Sequence, residues 1–165
     1  MVSSQSYVDG GILRETTSSQ SDWAGRQLRT DFAGGAFATV SYNAIGQMVS
    51  STDPDGVTSL RAYDNLGQPT VSAVDLNANG QIDYGTDTVS FSESGPALNG
   101  SAPVLRSIQK VWQPGDTNPA AGTLVSTSFS APDGLSGSST SIGVANPATS
   151  VTTLGTNGNM TQTQV

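Results

Sequence analysis

Cysteine and histidine are absent from this 165-residue chain, and charged and aromatic side chains are scarce. Without cysteine there is neither a disulfide nor a thiolate metal site, so the sequence leaves the redox compartment open. Without histidine there is no imidazole base, no imidazole metal ligand and no Ser-His-Asp triad, however abundant serine is. Charged residues make up 12% of the chain, against about 25% in an average domain. The apolar share, 35%, is also below the usual value of roughly 45–50%. No apolar run approaches the roughly 18 residues of a membrane helix, so membrane insertion is not expected. The first residues, MVSSQSYVDGG, lack the basic and apolar regions of a secretory signal. Export would then rely on a signal outside this stretch or on another route.

Six basic residues (Arg14, Arg26, Arg29, Arg61, Arg106, Lys110) are scattered among thirteen acidic ones, for a net charge of −7. Phosphate backbones are bound by clustered cations, so nucleic acid is not an expected partner. Ser, Thr, Gly, Asn and Gln fill much of the remainder, and Gly, Pro, Asn and Asp punctuate the chain every few residues. No 11-residue window keeps an i, i+3, i+4, i+7 apolar pattern, which argues against helices. Short β-branched and aromatic runs lie between turn signals and read as strands at 37–42, 48–51, 57–63, 70–74, 88–93, 104–112 and 124–129.

The first half repeats itself every 21 residues. Gly25, Gly46 and Gly67 keep this spacing, and so do Asp22, Asn43 and Asp64. Each unit reads as strand, tight turn at Asx-x-x-Gly, strand, and a second turn at Asp53-Pro54-Asp55-Gly56 or its counterpart. A fixed period in this range indicates one supersecondary unit stacked on its neighbours, a scaffold rather than a catalytic pocket. The expected fold is all-β: antiparallel hairpin repeats forming a curved sheet, with an irregular β insertion. The expected divisions are an N-terminal strand or linker at 1–21, repeats with a DxNxNG loop at 22–87, a polar β insertion at 88–150 and the start of a further repeat at 151–165, resuming near Asn157.

YNAIGQ at 42–47 and YDNLGQ at 63–68, each followed by a strand, resemble the YD repeats of Rhs proteins. The likeness covers 22–75 well and 151–165 weakly. Ser21 replaces the tyrosine of the first copy, and Asn43 replaces the aspartate of the second. The resemblance implies hairpins wound into a spiralling sheet, either a shell around a toxin or a cell-surface barrel. It also implies secreted or cell-surface location. The family's self-cleaving core segment has no counterpart here, so a non-catalytic scaffold is expected and proteolysis is not. A few hairpins cannot close a shell, so the sheet edges should pair with further repeats or with other copies of the chain.

Asp75-Leu76-Asn77-Ala78-Asn79-Gly80-Gln81-Ile82-Asp83 has the spacing of an EF-hand-type calcium loop. Asp75, Asn77, Asn79, the Gln81 carbonyl and Asp83 fall at ligand positions, with Gly80 at the bend. Position 12 is Thr86, so Asp87, one residue late, would have to replace the usual glutamate. With so few acids, calcium (Ca2+) would bind weakly, in the range of about 10⁻⁴–10⁻³ M. The alternative is a turn stabilised by Asx side chains bonding their own backbone.

Other chemistry is weaker. The pairs Asp53/Asp55 and Asp83/Asp87 offer the two carboxyls a glycosidase needs, but turn capping explains them more simply. Lys110 has no Ser-Lys motif around it, and no glycine cluster ends in GK[ST]. Trp23 and Trp112 could stack on sugars, which supports a rival function as a carbohydrate-binding or adhesive β-sandwich module, although aromatics more often anchor packing. Asn99-Gly100-Ser101 and Asn159-Met160-Thr161 fit the glycosylation acceptor pattern.

Overall fold

The computed structural model describes residues 1–9, 12–132, 136–141, 149–154 and 160–164. The described elements are all strands: β1 (Val2–Asp9), β2 (Ile12–Ser21), β3 (Gln27–Asp31), β4 (Phe37–Tyr42), β5 (Met48–Thr52), β6 (Thr58–Tyr63), β7 (Pro69–Asp75), β8 (Thr88–Asn99), β9 (Ala102–Val111), β10 (Thr123–Ser130), β11 (Ser136–Ser141), β12 (Thr149–Leu154) and β13 (Met160–Gln164). They form one antiparallel sheet in chain order from β1 to β13, an uninterrupted meander. β1 and β13 are therefore bonded on one side only. The strand expected at 88–93 is longer than its β-branched run, and residues 88–150 supply β8–β11 and the start of β12 of the same sheet. The resumption expected near Asn157 lies outside the described residues.

The hairpins of the first half share one turn. In the first, the Asp22 amide donates to the Arg26 carbonyl (2.9 Å) and the Gly25 amide to the Asp22 carbonyl (3.2 Å). The same pair of bonds recurs from Phe32, Asn43, Asp53 and Asp64, so turns begin at alternating steps of 10 and 11 residues. Two hairpins thus make up the 21-residue unit. This is a three-residue loop whose last member lies in the left-handed region, where a side chain is strained. Glycine fills that place throughout, with φ of 81° at Gly25, 87° at Gly46 and 81° at Gly67.

After the turns at Asp22, Asn43 and Asp64 the returning strand carries one extra residue. Gln20 faces Arg29 while Ser21 faces Gln27, leaving out Leu28. Val49 and Thr70 are left out in the same way. Leu28, Val49 and Thr70 are 21 residues apart, and such bulges bend and twist a strand. The curved sheet expected from the repeats is thereby built into each unit.

The core lies where β6 to β9 meet. Leu60 faces Ala73 and Ala73 faces Val89, while Trp112 donates its amide to the Val89 carbonyl (3.2 Å). This row is buried, with Val71, Phe91, Ile82 and Tyr84 packed against it. Ile82 and Tyr84 come from the 76–87 loop, which folds back over the sheet and covers these side chains. The Tyr84 ring lies 4.9 Å from that of Trp112. The indole also donates to the Asn118 carbonyl (3.0 Å), and a Cβ at Gly122 would come within 2.6 Å of it. Trp112 is thus a packing anchor, as aromatics usually are.

β8 runs on past the strand expected at 88–93, through Gly95 and Pro96, without interruption. The Val89 carbonyl points to β9, and main-chain direction alternates along a strand, so Pro96 turns its nitrogen away from β9. β8 pairs with β7 only as far as Phe91, so that nitrogen faces a side without a ladder partner. Proline is tolerated in a strand under this condition. The turn that follows is the two-residue Gly100-Ser101 loop between the paired Asn99 and Ala102.

Candidate functional site

Two features carry the structural chemistry: a rim of repeated turns and the 75–87 loop. On the rim, the Asx side chain organises each YD-type turn. Asp22 Oδ1 accepts from the Ala24 and Arg26 amides, Asn43 Oδ1 from Ile45 and Gln47, and Asp64 Oδ1 from Leu66 and Gln68. Asp53 does the same for Asp55 and Val57 in the opposite rim. A short side chain with one acceptor thus satisfies two amides that the hairpin leaves open. Asparagine supplies the same acceptor, which explains why Asn43 replaces aspartate without loss.

In two of the turns, the residue after the glycine ties that turn to the next repeat. Gln47 accepts from Asn43 Nδ2 within its own turn (2.7 Å) and donates to the Gly67 carbonyl of the next (3.2 Å). Arg26, one repeat earlier, pairs with Asp22 (2.7 Å) and lays its guanidinium over the Tyr42 ring, 4.7 Å from its centre. A Cβ at Gly46 would come within 2.8 Å of that guanidinium. Tyr63, the next tyrosine, donates its hydroxyl to the Met48 carbonyl (2.6 Å). The Tyr-Asx-x-x-Gly-Gln pattern is therefore a set of contacts between successive repeats. Sequence reasoning recognised the glycine and the Asx but not the residue after the glycine, although its recurrence at Gln47 and Gln68 was visible.

Electrostatics follow from these contacts. Partial desolvation pushes the Asp22 carboxyl up, but the Arg26 amide and guanidinium and the Ala24 amide outweigh it and hold it below the ordinary value. Asp31 is lowered chiefly by its bond to Arg29, with help from Ser18. The turn tips face outward, and Trp23, 96% exposed, packs against nothing.

In the 75–87 loop, the structure brings most of the expected ligand residues together. Asp75 is buried and accepts from the Asn79 amide (3.3 Å) and the Gly80 amide (2.8 Å). Asn77 and Asn79 both donate their side-chain amides to Asp83 Oδ2 (2.9 and 2.5 Å), which lowers the Asp83 pKa. The Gln81 amide donates to Asn79 Oδ1 (2.8 Å). Asp87 stands apart from this group. It is buried, and its two oxygens accept from the Leu76 amide (3.0 Å) and the Asp83 amide (2.9 Å), joining the start of the loop to its end. Among the described residues, no three His, Cys, Asp or Glu side chains gather as a metal-ligand set.

A shallow concavity of about 480 Å³ lies on the sheet, lined by Arg61, Ser72, Ser90, Gln109, Val111 and Val125 among others, with no carboxylate in its wall. Asp53 and Asp55 sit together in one turn, where Asp53 accepts from the Asp55 and Val57 amides; Asp83 and Asp87 sit together in another, where Asp87 accepts from the Asp83 amide and Asp83 from the Asn77 and Asn79 side chains. Among the described residues, no helix is long and apolar enough to cross a membrane.

Residues 42–82 match the family profile described as RHS Repeat. This stretch holds the Asn43 and Asp64 turns, the Asp53 turn between them, and the loop up to Ile82. This stretch is therefore an RHS repeat region, and the meander of hairpins that holds it is a structural repeat scaffold of the kind that associates with further repeats. No curated protein matches the chain.

Proposed function

We propose that this chain is a non-catalytic section of a YD-repeat wall that encloses or displays a polypeptide cargo, such as a toxin, outside the cell or at its surface. The observation that carries this reading is the uninterrupted order β1 to β13, with outer strands bonded on one side only. Such a wall grows by adding hairpins at its edges, supplied by further repeats or by other copies of the chain. The engagement of Asp22, Asp53, Asp64 and Asp87 in turns and loop closure supports a non-catalytic role. The rival carbohydrate-binding reading loses Trp112 to the core and retains only Trp23 as an exposed platform.

Sedimentation velocity over a range of concentrations tests edge pairing. Met1 and Ser21 exchange both main-chain bonds, so alternation turns the Ser4 and Ser6 amides of β1 outward. Self-association should rise with concentration, and Ser4→Pro should weaken it without breaking the β1–β2 hairpin. A wild-type monomer at all concentrations would sink the reading.

A weak calcium role for the 75–87 loop belongs to the same proposal. Asp75, Asn77, Asn79, the Gln81 carbonyl and Asp83 would hold the ion, with Asp87 at the end of the loop. The convergence of Asn77 and Asn79 on one Asp83 oxygen, around the bend at Gly80, favours it. Bound calcium would stiffen the loop over the core. Calorimetry should show calcium heat in the wild type and none in Asp75→Ala; no heat in the wild type removes the ion from the account.

A further inference from the structure

An asparagine followed by glycine can lose its side-chain amide without an enzyme. The glycine nitrogen, unshielded by any Cβ, attacks the asparagine Cγ, and ammonia leaves. The cyclic imide that results is then opened by water at either carbonyl. The products are aspartate and isoaspartate, each one negative charge richer than asparagine. The step requires a free nitrogen on the glycine and a side chain able to swing onto it.

Two such dipeptides lie among the described residues, and the structure treats them oppositely. At Asn79-Gly80 every reacting group is held. The Gly80 amide donates to the buried Asp75 (2.8 Å), Asn79 Oδ1 accepts from the Gln81 amide (2.8 Å), and Asn79 Nδ2 donates to Asp83 (2.5 Å). At Asn99-Gly100 neither the side chain nor the glycine amide has a hydrogen bond within the protein. Both residues are exposed at the tip of the β8–β9 hairpin, where Gly100 has a φ of 63°.

We propose that Asn99 is a site of spontaneous deamidation in this protein and that Asn79, in the same dipeptide, is protected by its loop. Bonds to charged carboxylates must break before Asn79 can react, which slows it by at least about tenfold. Isoaspartate at residue 99 routes the main chain through the side chain, adding one carbon next to a two-residue turn. The Asn99–Ala102 pair that closes the hairpin is then out of register.

The test is peptide mapping by mass spectrometry of the intact chain, aged in mildly alkaline buffer, with isoaspartate scored separately. The expected result is modification at Asn99 at least about tenfold faster than at Asn79, a ratio that collapses in denaturant because both sites share one dipeptide. Asp75→Ala should accelerate Asn79 while leaving Asn99 unchanged. Equal rates in the folded protein, faster loss at Asn79, or a ratio that survives denaturation would each overturn the proposal.

Discussion

Gln47 donates its side-chain amide to the main-chain carbonyl of Gly67 at 3.2 Å, joining two turns that begin 21 residues apart. Its carbonyl oxygen meanwhile accepts from Asn43 in its own turn. One side chain thus closes a turn and docks it on the next. Removing it in Gln47→Ala should lower stability by about 0.5–1.5 kcal/mol, read as a shift in the urea midpoint. Gln47→Glu should be worse than neutral replacement at this point, because it sets a carboxylate oxygen against the Gly67 carbonyl oxygen, two acceptors with no proton between them.

The positive φ of the turn glycines gives a sharper contrast. Gly67 has a φ of 81° and Gln47 Nε2 only 3.1 Å from where a Cβ would lie, so Gly67→Ala should cost about 1–2 kcal/mol. Gly95 in β8 lacks a positive φ and faces open space. Gly95→Ala should be neutral or stabilising by about 0.4–1 kcal/mol. Equal losses in the two variants would contradict the turn geometry.

Asp87 is a closure residue, and its loss should be felt at a distance. Asp87→Ala leaves the Leu76 and Asp83 amides without their acceptors, at a cost of roughly 2–4 kcal/mol. Asp87→Asn, which keeps one oxygen, should fall between this variant and the wild type. As the loop loosens, Tyr84 and Ile82 should leave Trp112. Its fluorescence should then shift to the red, and amides in 76–87 should exchange before the global transition.

Acid should weaken the fold late. Asp22, Asp31 and Asp83 have folded pKa values below the ordinary value, about 3.9. Their contribution is fully present above that value and fades as pH falls through the lower folded values. The urea midpoint should therefore be unaffected by these groups from neutrality to about pH 4 and should decline below it. Asp22→Asn should flatten part of that decline, since Asn43 shows that asparagine makes the same turn.

The legible parts of this fold are those set by a few neighbouring residues. The Asx-x-x-Gly turns and the 53–56 turn depend on chemistry within five positions, and each is in the chain as expected. The turn from Phe32 was harder to read because phenylalanine offers no capping acceptor, so only its glycines mark it. The extension of β8 past Pro96 was hidden because it depends on which side of the strand has a neighbour. The burial of Trp112 rests on Tyr84 and Ile82 arriving from a loop some thirty residues earlier, and nothing local to Trp112 announces them. In the 75–87 loop, the DxNxNG spacing marks a tight bend, and Asn77 and Asn79 meet Asp83 across it. The role of Asp87 in closing the loop, however, required knowing that residues 76 and 87 meet.

The bulges at Leu28, Val49 and Thr70 have a consequence for size. Each unit bends the strand path by its own fixed increment, independent of how many units precede it. Duplicating or deleting a 21-residue unit therefore changes how far the arc extends and leaves its radius alone. A lineage can lengthen or shorten the sheet through copy number, without redesigning a single hairpin.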